Sequence, residues 1–74
     1  MSEHHASIRW VRSSESFAYP DYNRNHAWVF PGGTQIEASA AAQFLGHPDC
    51  VDPEEAFVAA ISSCHMLTFL AICA

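Results

Sequence analysis

Asp52-Pro-Glu-Glu-Ala-Phe-Val-Ala-Ala-Ile-Ser-Ser-Cys-His-Met-Leu-Thr-Phe-Leu70 is the stretch that decides the fold. Asp52 reads as an N-cap, Pro53 takes the first helical position and Glu55 follows the cap by three. That order is a capping box, and both Glu54 and Glu55 are favoured by the positive end of the helix dipole. No Gly or Pro interrupts Glu54 to Ala74, so the pattern predicts a helix over 53–74, about 30 Å long at ~1.5 Å per residue. A long buried helix ordinarily carries aliphatic side chains at its centre. This one carries Ser62-Ser63-Cys64-His65, and a thiol placed there points to chemistry as well as packing.

Working outward, the chain has 74 residues, half of them hydrophobic and 15% charged. A domain of that size buries only about 60% of the surface its unfolded chain exposes, so a lone core is marginal. Rich apolar content in so short a chain implies missing partner surface, either a second subunit or further sequence. The helix also meets no stop signal at Ile72-Cys73-Ala74, which reads as a truncation.

The net charge of −5 comes from eight carboxylates against three basic residues, all arginine. No basic stripe exists for a phosphate backbone, so no nucleic-acid partner is expected. Cys50, Cys64 and Cys73 form an odd set without a CxxC pair, which fits neither a disulfide scaffold nor a zinc site. A reduced, cytoplasmic thiol protein without metal or cofactor fits better. His4-His5 does not make a metal pair by itself, and His65 has no His or Cys at i+3 or i+4.

Ala56 to Ala74 carries no formal charge and is long enough to raise a transmembrane helix. Ser62, Ser63, His65 and Thr68 within it, its many alanines, and the lack of Lys, Arg or Trp at either end argue against a span. A helix buried by sheet and partner subunit is expected instead, with no membrane association.

Ahead of the helix, residues 5–12 alternate loosely, with Ala6, Ile8 and Trp10 on one face, which predicts a strand. Ser13 to Pro20 breaks it, leaving Phe17 and Tyr19 as anchors. Strands over 26–30 and 34–39 flank Pro31-Gly32-Gly33 and read as a β-hairpin. The fold class is therefore α+β: an N-terminal strand and hairpin, a small-residue connection, and a long buried central helix.

Phe17-Ala-Tyr-Pro-Asp-Tyr-Asn-Arg-Asn-His-Ala-Trp-Val-Phe-Pro-Gly-Gly33, then Glu37-Ala-Ser-Ala, then Asp52 to Leu70, resembles the OsmC/Ohr family of osmotically inducible and organic hydroperoxide resistance proteins. The specific element is Pro-Glu followed ten residues later by Cys, within Ser-Cys-His-Met-Leu. The match runs over essentially the whole of residues 1–74 and over the N-terminal half of the family's domain.

The resemblance implies a thiol-dependent peroxidase acting on organic hydroperoxides, recycled by a dithiol reductant, in an intertwined homodimer with active sites at the subunit interface. On the matching positions Cys64 resembles the peroxidatic cysteine, Glu54 the family's glutamate and Arg24 the thiol-activating arginine. The family's second cysteine falls in the half that residues 1–74 do not reach, which puts turnover of this chain by itself in question.

The chemistry is consistent with those roles. A free cysteine, with a pKa near 8.5, is mostly protonated at neutral pH, whereas the attacking species is the thiolate. A nearby guanidinium favours the charged form, and a carboxylate can hold that guanidinium bidentately. Within one straight helix, however, Glu54 and Cys64 lie about 15 Å apart along the axis and roughly 80° apart around it. They must be bridged by Arg24 or come from two antiparallel helices of two subunits. Cys73 lies on the face opposite Cys64 and about 13 Å along, past the ~7 Å Cα limit for a disulfide.

Two other classes compete. One is a non-enzymatic dimerisation or small-molecule-binding member of the same fold; the other is a small membrane-anchored protein using Ala56–Ala74.

Overall fold

Backbone pairing begins with the strands. In the computed structural model, which describes residues 3–74, β1 (Ser7–Arg9), β2 (His26–Val29) and β3 (Gln35–Ala38) form an antiparallel sheet in the order β1-β2-β3. The register sets Ile8 opposite Trp28 and Trp28 opposite Ile36, with His26 opposite Ala38. Because side chains alternate along a strand, Ile8, Trp28, Ile36, His26 and Ala38 share one face. The strand expected over 5–12 is regular only over Ser7–Arg9; from Trp10 onward the backbone leaves the ladder to meet the loop at 19–24.

The hairpin turn follows from its sequence. Gly33 N–H donates to the Phe30 carbonyl at 2.9 Å and Phe30 N–H to the Thr34 carbonyl at 2.9 Å. Pro31 supplies the fixed φ of the first turn position, and Gly33 takes φ 92°, which a side chain would oppose.

After β3 the chain makes a single 3-10 turn (Ala42–Phe44) closed by Leu45 in the left-handed region at φ 64°. Gly46 then lies against the Ala40 backbone so closely that a Cβ would fall on the Ala40 carbonyl. Ser39, fully buried, holds this bend: its N–H donates to the Val51 carbonyl at 2.9 Å and its Oγ accepts from His47 N–H at 3.0 Å. A parallel bridge between Ala38 and Val51 delivers the chain to the helix start beside the sheet.

The helix α1 (Pro53–Cys73) opens with the expected capping box. Asp52 Oδ1 accepts from Glu55 N–H at 2.8 Å, and Glu55 Oε1 accepts from Asp52 N–H at 3.2 Å. Beyond its first turn α1 projects from the sheet, and none of its residues is buried. Phe57 is 66% exposed, Leu67 59% and Ile72 78%. The expectation of a buried central helix is corrected here for the single chain. Apolar residues run all round α1, and no other element of these residues packs on it, so its burial requires surface from elsewhere.

The dimensions say the same. The molecule measures 54 × 25 × 18 Å with a radius of gyration of 15.9 Å, against about 11 Å for a compact chain of this length. Its accessible surface is 6032 Å², where a compact monomer of this mass exposes about 4,500 Å². Half of the large apolar side chains exposed among the described residues lie on α1.

Candidate active site

The segment between β1 and β2 is built on an aromatic cluster. Trp10, Phe17 and Tyr22 pack with ring centroids 5.1 to 6.3 Å apart, and Tyr19 meets Tyr22 edge-on at 6.4 Å. Asn23 ties the loop to the end of the first strand segment. Its Oδ1 accepts from Ser13 N–H at 2.7 Å, its Nδ2 donates to the Val11 carbonyl at 3.0 Å, and its own carbonyl accepts from the Trp10 indole at 2.9 Å. Three hydrogen bonds through one residue fix the loop that carries Arg24.

Arg24, half-buried just before β2, lies flat against this cluster. Its guanidinium carbon sits 3.9 Å from the Tyr22 ring centroid and 4.7 Å from that of Tyr19. Nη1 donates to the Tyr22 carbonyl at 2.7 Å and Nη2 to the Tyr19 carbonyl. A guanidinium has five N–H groups, so part of its donor capacity stays open. His26 steadies the same backbone from the strand. The Trp28 indole N–H donates to His26 Nε2 at 2.9 Å, which leaves Nδ1 as the protonated nitrogen of the neutral ring, donating to the Arg24 carbonyl at 2.8 Å.

A concavity of about 370 Å³ lies between this loop and the helix start, walled by Trp10, Phe17, Tyr22, Arg24, His26 and Pro53, among others. Arg24 and the N-terminal end of α1 therefore face one space. Glu54, next to Pro53, is exposed in the first turn; it makes no ion pair with Arg24, and among the described residues the only ion pair is His5 with Glu3 at 3.3 Å. Asp52, one residue before Pro53, has its carboxyl held below the usual carboxylate range, chiefly because the Glu55 backbone N–H donates to it.

Cys64 is an exposed, free thiol midway along α1. The helix is unbroken from Pro53 to Cys73, so Cys64 stands about 15 Å along the axis from Glu54 and well outside the Arg24 concavity. Cys73, also free and exposed, lies about 13 Å further on, and the half-buried Cys50 precedes the helix. The three residues singled out from sequence thus divide: Arg24 and Glu54 lie toward one end of the helix, and Cys64 is apart from both within a single chain. The described residues hold no cluster of His, Cys, Asp or Glu fit for a metal ion.

Sequence reasoning missed Asn23 and His26. Their signal was present in Tyr19-x-x-Tyr22-Asn23-Arg24-x-His26, where two aromatics, an asparagine and a histidine flank one arginine at the entry to β2.

The fold and the thiol-bearing helix define an α+β unit, a small antiparallel sheet with one long helix left open along its length. That unit is OsmC-like, in line with the resemblance its sequence carries. It is 53% identical, with a TM-score of 0.90, to an OsmC-like protein of unknown function from Vibrio cholerae O1 biovar eltor str. N16961. The match covers 97% of this chain and 50% of that one, so the chain spans half the length of this relative. No family model matches the chain, and no curated protein does.

Proposed function

We propose that Cys64 is a peroxidatic thiol that reduces organic hydroperoxides in an OsmC-like homodimer, within a reducing, cytoplasmic compartment. The observation that carries this reading is the placement of Arg24 and the helix start on one concavity, with Cys64 two to three turns up an uncovered helix. Arg24 and Glu54 come from one end of α1, and the thiol comes from the helix of a second copy.

Antiparallel pairing about a two-fold axis achieves this. If Glu54 of one subunit faces Cys64 of the other, the helices cross level with residue 59, and the face that carries both Glu54 and Cys64 presents Phe57 and Ile61 there. These apolar side chains pack across the two-fold axis, and an isologous contact repeats the arrangement on the other side. The surplus of roughly 1,500 Å² over a compact monomer exceeds the ~800 Å² that each partner contributes to a standard interface.

In the reaction, the Cys64 thiolate attacks one oxygen of the O–O bond. The bond breaks, the alcohol leaves after taking a proton, and Cys64 becomes a sulfenic acid, oxidised by two electrons as the peroxide is reduced by two. A dithiol reductant then displaces water from the sulfenic acid, forms a mixed disulfide with Cys64 and closes to its own disulfide, releasing the thiol. Arg24 favours the thiolate by its charge, and in the assembled dimer Glu54 turns to hold the guanidinium in a two-point contact that it does not make within the single chain.

The test mixes Glu54→Gln and Cys64→Ser protomers. Each alone should be inactive, and the mixture should recover up to a quarter of wild-type turnover through hybrid sites. A sulfenic-acid probe after stoichiometric cumene hydroperoxide should mark Cys64 and spare Cys50 and Cys73. Equal labelling of all three cysteines would leave Cys64 an ordinary exposed thiol and favour a binding role for the fold.

A second reading rests on α1 being long and apolar enough to cross a membrane, with none of it buried in the single chain. Its polar centre, Ser62, Ser63 and His65, is unfavourable there. Flotation with phosphatidylcholine vesicles separates the two: a membrane helix floats, and a soluble dimer stays behind.

A further inference from the structure

Arg24 is anchored at both ends, and only one anchor comes from its own loop. The guanidinium donates to the Tyr19 and Tyr22 carbonyls, whereas the backbone carbonyl of Arg24 accepts from His26 Nδ1 at 2.8 Å. The peptide that leads from Arg24 into β2 is therefore tied to a strand side chain. Residues 26 and 28 share a face of β2, which sets the two rings 6.1 Å apart and lets the Trp28 indole donate to His26 Nε2 at 2.9 Å. The bond made at one imidazole nitrogen decides which nitrogen carries the proton, so Trp28 keeps Nδ1 as the donor toward Arg24.

The sheet register carries this anchor across to the helix. His26 stands directly opposite Ala38, so the two side chains are close neighbours on one face. Ala38 is fully buried and forms the parallel bridge to Val51, three residues ahead of Glu54. A row of His26, Ala38 and Val51 thus links the residue that anchors Arg24 to the segment that delivers Glu54.

We infer that His26 is a positioning residue of the proposed peroxidase site, its tautomer fixed by Trp28, and that it sets where Arg24 stands relative to the start of α1. Its consequence for the reaction rests on Arg24 acting on the thiol as proposed above; the anchoring itself requires nothing of Cys64.

Two substitutions separate the two ring nitrogens. The amide nitrogen of Asn reaches the place of Nδ1, so His26→Asn keeps a donor to the Arg24 carbonyl, whereas His26→Gln extends toward the place of Nε2 and gives that donor up. Side-chain protons of Arg24 lie over the Tyr22 ring, and the ring current moves their NMR signals upfield, a readout that needs no peroxide. That shift should persist in His26→Asn and shrink toward the value of free arginine in His26→Gln. Imidazole ¹⁵N signals should show the Nδ1–H tautomer in wild type and a mixture in Trp28→Phe. Oxidation of Cys64 by cumene hydroperoxide should follow the same order, close to wild type in His26→Asn and about three- to tenfold slower in His26→Gln. An Nε2–H tautomer in wild type, or Arg24 shifts that are alike in the two His26 variants, would overturn the assignment and leave His26 a packing residue. Equal oxidation rates in variants whose Arg24 shifts differ would overturn it as well. A wild-type Cys64 inert to peroxide would sink the peroxidase reading instead, and the Arg24 shifts and the tautomer would still decide the role of His26.

Discussion

Arg24 rests 3.9 Å over the ring of Tyr22 while its Nη1 donates to the Tyr22 backbone carbonyl at 2.7 Å. One residue therefore holds the guanidinium by both face and edge, and Glu54 takes no part in that placement within a single chain. Tyr22→Leu removes the ring and keeps the carbonyl. It should cost about 1–2 kcal/mol, the sum of a partly exposed cation–π contact and lost aromatic pairs. Urea unfolding at fixed protomer concentration measures the loss, and Tyr22→Phe should stay within about 0.5 kcal/mol of wild type. A cost for Phe equal to that for Leu would place the stabilisation in the hydroxyl instead.

Asn23 offers a finer test, because its amide both accepts from Ser13 N–H and donates to the Val11 carbonyl. Asn23→Ala deletes both bonds and should destabilise by about 1–3 kcal/mol, at ~0.5–1.5 kcal/mol per bond. Asn23→Asp keeps the acceptor and loses the donor, so it should fall between wild type and Ala. The Ser13 amide in hydrogen exchange gives the local readout: protection should survive in Asp and vanish in Ala.

The three glycines should separate by mechanism. Gly46→Ala drives a Cβ into the Ala40 carbonyl and should cost about 1–3 kcal/mol by overpacking. Gly33→Ala meets no atom but sits at φ 92°, outside the ordinary left-handed well, and should cost about 1–2 kcal/mol. Gly32→Ala has open space and an ordinary φ, so its denaturant midpoint should match wild type. A large loss at Gly32 would contradict the turn geometry.

Asp52 gives a pH dependence whose sign is fixed by the cap. Its carboxyl is held below the ordinary value near 3.9 because the charged form accepts the Glu55 N–H. The folded state thus binds that proton less readily than the unfolded chain. The cap's contribution is complete above pH ~3.9 and is lost as the pH falls through the lower folded value. Circular dichroism at 222 nm between pH 2 and 5 should show helix loss in wild type. Asp52→Asn, which accepts the same N–H without titrating, should lack that component of the acid limb. Identical acid limbs in the two proteins would assign it to other carboxylates.

Legibility in the sequence tracked how local each cause is. The capping box at Asp52–Glu55 and the Pro31-Gly32-Gly33 turn were readable because every partner lies within a few residues. The α+β class followed, since a period of two ahead of a long uninterrupted helix leaves few other architectures. The exposure of α1 was not readable: hydropathy says that Phe57, Leu67 and Ile72 want cover, and says nothing about which chain supplies it. Arg24 was picked out by resemblance, but its stacking on Tyr22 and Tyr19 depends on a loop folding back, and Asn23's role depends on Val11 and Ser13, ten or more residues away. The separation of Cys64 from Glu54 was legible from helix rise alone, and the unbroken helix keeps it.

That separation drives the last expectation. With Glu54 and Cys64 about 15 Å apart on one rigid helix, two helices that share a site cross level with residue 59, on the face that carries Phe57 and Ile61. An apolar side chain at the crossing packs against its counterpart, and a charged one on both copies does not. Ile61→Glu sets two carboxylates against each other near the two-fold axis and should weaken the dimer at least tenfold, read by sedimentation velocity over a range of concentrations. Ala59→Glu, about 140° round the helix from both Glu54 and Cys64, adds the same charge on the opposite face and should weaken it less. Sulfenic-acid labelling of Cys64 should fall in step with dimer loss in Ile61→Glu and recover when protein concentration is raised. Labelling that persists in the monomer would show that Cys64 reacts without a partner's Arg24 and Glu54, and the antiparallel pairing would have to be abandoned.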